Sequence, residues 1–363
     1  MKVIHMPCCL PEVNPYNRLL NDSLAREGVE VVEYNYVFSS YISAPISAYL
    51  RNYRPDVMHF HWVYTFFVAL SRGKRRISRV KSFIFLSQVF LLRILGVRIF
   101  WTVHDLTTYE VDQDNKERVE CFLRRVFSRL CDRIIVHNPS AMETVEELYG
   151  LGGRGRIRVI PHGNYIGYYG DDVSRGEARR RIGVEGSGIV FLYFGSIKPY
   201  KGVPELVEAF RRMDAPGTRL LIVGEDYTRW VVDEVKERVG DDDRIKTVFR
   251  RVRNDEVQLY MNASDVVVLP FKETLTSGSL ILAASFRKPV ITPAMGYVSD
   301  MLGDDGCILY DPSDSEGLLD GMIRSLEADL NAMGERNYQR VREYGWDRVG
   351  KETAREYREC VGV

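Results

Sequence analysis

The feature that most constrains the fold of this chain is its alternation of short apolar runs with amphipathic stretches. Amphipathic stretches such as 17–26, 116–130 and 141–148 follow apolar runs that read as buried strands. In the first half these strands are predicted at 3–6, 29–35, 56–62, 97–104, 133–137 and 157–161. Buried strands that alternate with helices predict a parallel sheet covered by helices on both faces.

The same alternation starts again in the second half of the chain. Strands are predicted at 189–194, 219–223, 245–249, 265–269, 289–292 and 307–310, and helices at 204–212, 231–239, 255–262, 279–286 and 316–328. The segment between the halves, "GNYIGYYGDDVSRGEARRRIG", is rich in glycine, tyrosine and charge, which is typical of a linker with one short helix.

These patterns predict two facing, doubly wound, Rossmann-like α/β domains with a ligand cleft between them. The predicted domains are 1–165 and 166–345. A last helix within 346–363 is expected near their junction.

Composition narrows the class of partner and the compartment. Fifty basic and fifty acidic residues cancel, so the net charge indicates no nucleic-acid partner. The N-terminus reads as a first strand rather than a signal peptide. Six scattered cysteines without a C-x-x-C pair are typical of a reducing compartment. The predicted location is cytoplasmic, with peripheral contact at the inner face of the cell membrane.

One stretch breaks the charge balance. Residues 57–104 contain no acidic residue, and a basic cluster from position 72 leads into the apolar run "SFIFLSQVFLLRILG". The pattern predicts that residues 72–98 include a helix that lies on an anionic membrane surface. The alternative, that this is an ordinary crossover helix with solvated arginines, stays open.

Two loops carry the pattern of an anion site. In "YFGSIKPYKGV", a strand stops at Gly195, and Lys198 and Lys201 follow before a helix. The order differs from the G-x-x-x-x-G-K-[ST] loop of nucleotide hydrolases. The second loop ends in Ser277 and Gly278, just before another helix, whose N-terminus offers free N–H groups. Together the loops could clamp a diphosphate; alternatively, the second only caps its helix.

Several stretches together resemble a known family. "YFGSIKPYKGVPELVEAF", "LLIVGE", "NASDVVVLPF" and "RKPVITP" are similar to the donor domain of nucleotide-sugar glycosyltransferases of the group 1 and family 4 type. "PHGNY" falls where such chains cross between domains, and "DVMHFHW" and "FWTVHDL" fall at strand ends of the first domain. The resemblance spans nearly the whole chain and implies the two-domain GT-B fold, in which domain 1–165 would bind the acceptor and domain 166–345 the nucleotide-sugar donor.

The resemblance also implies roles for particular residues. Lys201 would bind the donor diphosphate, Glu273 would bind hydroxyls of the transferred sugar, and His104 would lie near that sugar. The predicted donor-binding residues are Gly195, Ser196, Lys198, Lys201, Thr276, Ser277, Gly278 and Ser279. A UDP- or GDP-linked sugar is expected as co-substrate, with no metal and no other cofactor, because lysine and backbone dipoles stabilise the leaving diphosphate.

The chain departs from the family pattern at three places. Ser196 stands where a partner arginine is usual, so Lys198 is the substitute. The second glutamate of the family is missing, since positions 281 and 282 are Ile and Leu. The sequence "CCLPEVNPYNRLL" replaces a glycine-rich turn after the first strand. Retention or inversion at the anomeric carbon stays open.

Inversion requires a base within reach of the acceptor hydroxyl. Asp105, beside His104, and Asp112 are the candidates, and the predicted catalytic set is His104, Asp105 and Glu273. Candidates on the acceptor side are Asn14, His61 and His162. His59 and His61 alternate along a strand and are expected to point to opposite faces, and His162 is either a hinge residue or a ligand contact.

The sequence therefore predicts a metal-independent hexosyltransferase. It would move a sugar from a nucleoside diphosphate to a lipid-linked or saccharide acceptor in polysaccharide or glycolipid assembly. Two alternatives stay open: a nucleotide-sugar epimerase on the same fold, and a non-catalytic partner subunit of another transferase.

Overall fold

The computed structural model describes residues 1–7, 14–33, 43–71, 74–106, 116–152 and 155–363. The chain divides into two compact units. Unit 1 comprises Met1–His162 and Trp346–Val363, and unit 2 comprises Gly163–Gly345. The sequence placed the boundary after residue 165, whereas the structure divides after His162 and assigns the last helix to unit 1.

Unit 1 contains a parallel sheet and the helices that connect its strands. Its strands include β1 Lys2–Met6, β2 Glu30–Glu33, β3 Val57–Phe60, β4 Val68–Ser71, β5 Lys74–Ile77, β6 Arg98–Thr102, β7 Arg133–Val136 and β8 Ile157–Val159. Its helices include α1 Tyr16–Arg26, α2 Ala44–Ala48, α3 Arg79–Ile94, α4 Lys116–Leu130 and α5 Pro139–Tyr149.

The main sheet of unit 1 has the order β2-β1-β3-β6-β7-β8, with parallel pairing throughout. The last helix of the chain, Trp346–Val361, packs in this unit. Its Val349 and Tyr357 share a core with Leu20 and Leu24 of α1. A Cβ on Gly350 would lie 2.6 Å from Ser23 Oγ, so these two helices cross at close range.

Unit 2 repeats the arrangement with a second parallel sheet. Its strands include β9 Val190–Phe194, β10 Arg219–Val223, β11 Ile245–Val248, β12 Val266–Val268, β13 Val290–Pro293 and β14 Cys307–Tyr310. Its helices include α6 Arg175–Ile182, α7 Val203–Arg212, α8 Arg229–Val239, α9 Val257–Ala263, α10 Gly278–Ser285, α11 Gly296–Leu302, α12 Gly317–Arg324 and α13 Leu330–Arg342; the Trp346–Val361 helix is therefore α14.

The sheet of unit 2 has the order β11-β10-β9-β12-β13-β14. Numbered within the unit, this is 3-2-1-4-5-6, the Rossmann order, in which ligands bind at the carboxyl ends of the strands where the order reverses. The reversal lies between β9 and β12. The apolar faces of α7, α8 and the central strands form the core, with Leu206, Phe210, Val231 and Ile222 fully buried.

Helix ends follow the local sequence. Asn138 caps α5 by accepting a hydrogen bond from the amide of Ala141 at 2.7 Å, and Pro139 occupies the first turn, where no amide donor is needed. Gly150 ends the helix at φ +61°, a left-handed conformation that glycine adopts without strain.

Some elements were not predicted from the sequence. β4 and β5 form an antiparallel hairpin, so Lys74–Ile77 belongs to a strand and not to the helix that follows. The helix predicted over 316–328 ends at Arg324, and α11 and α13 were missed. Outside Met333, Gly334, Asn337 and Val341, which are buried, α13 carries mostly polar and charged residues, so its apolar period is weak.

Candidate functional site

Two loops at the carboxyl edge of the unit 2 sheet carry the predicted donor-binding residues. One follows β9 and the other follows β12, so both start at the reversal point of the strand order. The amide of Lys272 donates a hydrogen bond to the carbonyl of Tyr200 at 2.9 Å, which joins the loops directly.

Two glycines let these loops approach each other. A Cβ on Gly202 would lie 2.0 Å from the carbonyl oxygen of Pro270, and Gly202 has φ +68°. A Cβ on Gly195 would lie 3.1 Å from Ser279 Oγ in the first turn of α10. The lysine loop and the N-terminus of α10 therefore lie beside each other, as a shared diphosphate site requires.

Lys201 lies in a largely apolar setting between these loops. Its Nζ is 4.1 Å from the centroid of the Phe271 ring and 5.0 Å from that of Tyr200. Burial lowers the pKa of Lys201 to about 7, and the charge of Lys198 adds to that effect. A diphosphate beside this amine would favour its charged form.

The start of α10 presents small polar side chains. Ser277 caps the helix by accepting a hydrogen bond from the amide of Leu280 at 3.3 Å. Thr276 Oγ1 is buried and has no hydrogen-bond partner within the described ranges. Glu273 lies exposed in the same loop. Ile281 and Leu282 in this helix have apolar, buried side chains, so neither can hydrogen-bond a ribose.

Lys198, the other lysine of the loop after β9, contacts a different aromatic ring from Lys201. Its Nζ is 3.9 Å from the centroid of the Tyr227 ring, in the loop between β10 and α8. The neighbouring Ser196 accepts a hydrogen bond from the Tyr193 hydroxyl through its carbonyl at 2.8 Å. Lys198 therefore lies in the same loop as Ser196, where the family usually has arginine, and its contact with Tyr227 was not identified from the sequence.

In unit 1, all six histidines of the chain converge at one edge of the sheet. They are His5 in β1, His59 in β3, His61 just after β3, and His104, His137 and His162 after β6, β7 and β8. Neighbouring rings have centroids between 4.4 Å and 5.4 Å apart. Parallel strands bring these carboxyl ends together, a convergence that the separate motifs did not predict.

The prediction that His59 and His61 point to opposite faces was wrong. Residues two apart on a strand share a face, and the two rings stack with centroids 4.4 Å apart at 27°. Both residues are buried. His59 is bonded at both nitrogens, to Tyr357 Oη at 2.5 Å and to Thr102 Oγ1 at 2.7 Å.

His104 is partly exposed and held on three sides. The Trp62 ring stacks on it at 4.6 Å and 13°, and Tyr16 meets it edge to face at 4.8 Å and 86°. His61 Nδ1 lies 3.1 Å from His104 Nε2, within hydrogen-bond distance. These contacts fix the orientation of His104, which the family resemblance predicts to lie near the transferred sugar.

Asp105 is bound by a buried arginine. Arg124 on α4 donates to Asp105 Oδ1 at 2.7 Å and to its carbonyl at 2.6 Å, and also to Glu120 Oε1 at 2.6 Å. Arg124 and Glu120 are almost fully buried. The loop after β6 is therefore anchored by a charged pair that sequence reasoning missed. Asp112, the other candidate base, lies outside the described residues.

The other two acceptor-side candidates, His162 and Asn14, both lie near Tyr16. His162 is buried, with its ring 5.0 Å from Tyr16 and 6.1 Å from Trp346. Asn14 is partly buried and accepts a hydrogen bond from the amide of Tyr16 at 3.0 Å through Oδ1, at the start of α1. The ring of Tyr16 packs against the rings of four of the six histidines and lies between them.

Burial lowers the pKa of histidines in this cluster. It lowers the pKa of His5 to about 4, against a side-chain hydrogen bond with Asn21 that raises it, and the pKa of His137 to about 3. The pKa values of His59, His61 and His104 also lie well below the usual value, chiefly through burial.

His5, His59 and His61 bring three potential metal-ligating nitrogens close together. One nitrogen of each lies within 4.8 Å of the others. The rings of His59 and His61 are nearly parallel, so their in-plane lone pairs run side by side and do not converge on one ion. Because both nitrogens of His59 are also hydrogen-bonded, the geometry favours a packed cluster.

Aspartate pairs of the Asp-x-Asp type, which hold metal in some transferases, do occur in the sequence. Asp112 and Asp114 lie outside the described residues. Asp241–Asp243 precedes β11, at the amino edge of the sheet and away from the lysine loop, and both carboxylate oxygens of Asp242 accept from Arg244. Metal-independent transfer stays a prediction.

Two family models match the chain. Residues 188–328 match "Glycosyl transferases group 1", and residues 21–164 match "Glycosyltransferase Family 4". The chain belongs to these glycosyltransferases. The family, the hexosyltransferase class and the GT-B fold predicted from the motifs are thereby confirmed.

The glycosyltransferase is similar along most of its length to characterised enzymes. It is 27% identical over 312 residues to a GDP-mannose:glycolipid 4-beta-D-mannosyltransferase of Xanthomonas campestris pv. campestris, which covers 85% of this chain and 81% of that protein. It is 25% identical over 296 residues to a D-inositol 3-phosphate glycosyltransferase of Corynebacterium glutamicum, covering 75% and 69%.

Solved structures share its fold. Sucrose-phosphate synthase from Thermosynechococcus elongatus has a TM-score of 0.76 at 19% identity, covering 99% of this glycosyltransferase and 98% of that chain. Anabaena HepE, solved with UDP and glucose, has a TM-score of 0.72 at 17% identity, covering 99% and 100%.

Proposed function

We propose that this glycosyltransferase moves a hexosyl group from a nucleoside diphosphate to a lipid-linked saccharide, without a metal ion. Unit 2 binds the donor and unit 1 binds the acceptor. The single observation that carries the proposal is the contact between the glycine loop and the tip of α10, where Gly195 meets Ser279.

The donor site is built for a diphosphate. Lys201 supplies one positive charge, and the first turn of α10 supplies backbone N–H groups and the positive end of its dipole. Because both lie on one sheet edge, they can stabilise the same leaving group as the bond to the sugar breaks. Glu273 hydrogen-bonds hydroxyls of the transferred sugar, and Lys198 shares the phosphate charge.

The relatives guide the choice of substrates. The Xanthomonas enzyme is named for GDP-mannose and a glycolipid, and HepE was solved with UDP and glucose. GDP-mannose is therefore the first donor to test and UDP-glucose the second, with a glycolipid as the first acceptor. The family descriptions name transfer and not epimerisation, which favours a transferase over the epimerase alternative.

Activity is tested with purified protein, the two labelled donors and extracted glycolipids. Transfer of label into the lipid fraction is expected, and Lys201→Ala should lower kcat/KM at least about 100-fold, the loss of a charge-assisted contact at the leaving group. Lys272→Ala is the matched control, since this exposed lysine of the neighbouring loop pairs with Glu205. Equal activity of the two variants would contradict the donor site.

A membrane contact through α3 accompanies this function. Along α3, Val80, Phe83, Phe90 and Ile94 form an exposed apolar stripe at helical spacing, with exposures from 57% to 73%. The opposite face, with Phe85, Val89 and Leu92, packs in unit 1. A second apolar face on a surface helix is typical of contact with a lipid interface. None of the helices within the described ranges is long and apolar enough to cross a bilayer.

The charges of this region are partly used within the protein. Lys81 donates to the carbonyls of Thr65 and Val68, and both Arg93 and Arg98 reach Asp132. Arg76 in β5 and Arg79 at the start of α3 are exposed. Attraction to anionic lipid therefore rests on fewer cations than the sequence indicated, and the apolar stripe carries more of the binding.

Liposome flotation separates these contributions. Binding to vesicles with anionic lipid is expected to exceed binding to neutral vesicles, and the double variant Phe83→Glu/Phe90→Glu should abolish it. Phe122→Glu is the control, since Phe122 on α4 is 63% exposed in the same unit. Equal flotation of the double variant and the wild type would remove α3 as the contact.

A further inference from the structure

The hydrogen bond between His61 and His104 constrains which nitrogen of His104 carries a proton. It joins His61 Nδ1 to His104 Nε2 at 3.1 Å, and two neutral rings share one proton across it. Either His61 donates and His104 accepts, or the reverse. Since the rings of Trp62 and Tyr16 clamp His104, the ring cannot turn to exchange its nitrogens without displacing them.

The second nitrogen of His61 decides between these arrangements. His61 is 1% exposed, and its Nε2 has no hydrogen-bond partner among the described residues. If His104 donated, His61 would carry its proton on Nε2 and leave a buried N–H unpaired. If His61 donates, Nε2 is a bare acceptor. Among backbone groups, buried N–H donors without a partner are rarer than under-satisfied acceptors, and the same preference applied to His61 favours the second arrangement.

We infer that His61 is a positioning residue that donates from Nδ1 to His104 Nε2 and thereby holds His104 as its Nδ1–H tautomer. His104 then presents an N–H donor at the partly exposed edge of the cluster. In this state it cannot take a proton from an acceptor hydroxyl, because Nε2 is occupied and Nδ1 is already protonated. It donates a hydrogen bond to substrate oxygen instead.

This inference also limits the search for a base. Asp105 accepts from Arg124, and His104 is a donor, so neither is a free proton acceptor in this state. The role of His104 toward the substrate rests on the proposed function. Its tautomer does not, and can be measured without any substrate.

The test is nitrogen NMR of the full chain labelled with ¹⁵N-histidine. Six histidines give few signals, and the pair from His104 is assigned by its loss in His104→Asn. A protonated Nδ1 and a bare Nε2 on His104 are expected at pH 7.5. In His61→Leu, which removes the donor and keeps the bulk, the His104 pattern should change.

His137→Asn is the matched control, since that ring also lies against His104, at 5.3 Å, but forms its hydrogen bond with the carbonyl of Ile160. This variant should leave the His104 tautomer unchanged. A proton on Nε2 of His104 in the wild-type protein would overturn the inference, whatever the activity.

Kinetics test the positioning role separately. His61→Leu should lower kcat about 10-fold with little change in the donor KM, the loss expected for one hydrogen bond that orders a group in the transition state. His61→Asn keeps an N–H at the position of Nδ1 and should restore most of that loss. Equal defects in both variants would show that only the ring volume of His61 matters and would refute the role.

Discussion

The amide of Lys272 donates a hydrogen bond to the carbonyl of Tyr200, which joins the loop after β12 to the lysine loop after β9. Next to it, Gly202 lies against Pro270. Because the loops are tied through their backbones, Lys201 and the tip of α10 keep a fixed spacing. The candidate donor site of unit 2 is therefore preorganised by main-chain contacts.

We expect Gly202→Ala to weaken both stability and nucleotide binding. A Cβ at this position meets the Pro270 carbonyl oxygen at 2.0 Å, and φ of +68° costs alanine roughly 1–2 kcal/mol before any clash. Thermal unfolding and titration with GDP and UDP measure the two effects. Gly217→Ala is the control, since Gly217 has φ +84° and open space around it. It should cost stability only; an equal loss of affinity there would contradict the loop contact.

Donor binding should take up a proton near pH 7.5. Burial lowers the pKa of free Lys201 to about 7, and a bound diphosphate raises it, so affinity should fall as pH rises above 7. Calorimetry in buffers of different ionisation enthalpy measures this uptake. Lys201→Met should abolish it, whereas Lys272→Met should not. Unchanged uptake in Lys201→Met would place the titrating group elsewhere.

Glu273→Gln should separate sugar binding from nucleotide binding. If Glu273 hydrogen-bonds the sugar, kcat/KM with the intact donor should fall about 10- to 100-fold, the value of one or two bonds to a charged group. Affinity for free GDP or UDP should stay within about 2-fold. Glu205→Gln is the control from the same region. A parallel loss of nucleotide affinity would argue against contact with the sugar.

Unit 1 should lose stability in mild acid. The pKa of His5 is about 4 and that of His137 about 3 in the folded protein, below the unfolded value near 6.5. The unfolded chain therefore binds more protons, and each such histidine lowers the free energy of unfolding by up to about 1.4 kcal/mol per pH unit as pH falls from about 6.5.

Urea unfolding between pH 5 and 7.5 checks this slope. Trp230→Phe removes the only tryptophan of unit 2, leaving fluorescence from Trp62, Trp101 and Trp346 of unit 1. In this background His5→Asn should reduce the pH dependence of the free energy of unfolding by the contribution of about one proton, up to about 1.4 kcal/mol per pH unit. If the free energy of unfolding of the Trp230→Phe protein did not change with pH, the histidines of the folded protein would already be protonated or solvated.

The sequence by itself determined the two sheets, most of their strands and the candidate donor loops. Apolar runs such as 219–223 and 307–310 coincide with β10 and β14, because a strand that is buried on both faces consists mainly of consecutive apolar residues. Gly195, Lys201 and Ser277 were found because turns and helix caps depend on local residue types. Helices with a weak apolar period, such as α13, were missed.

Only the tertiary structure decided which distant side chains meet. The six histidines come from five strands of the unit 1 sheet, and no spacing in the sequence shows that their rings touch. The pairing of Arg124 with Asp105 and the approach of Gly202 to Pro270 likewise join residues far apart in the chain. The local sequence pattern indicates how one segment is buried. The order of the strands determines which side chains are neighbours at a sheet edge, and this order is fixed by packing of the whole unit.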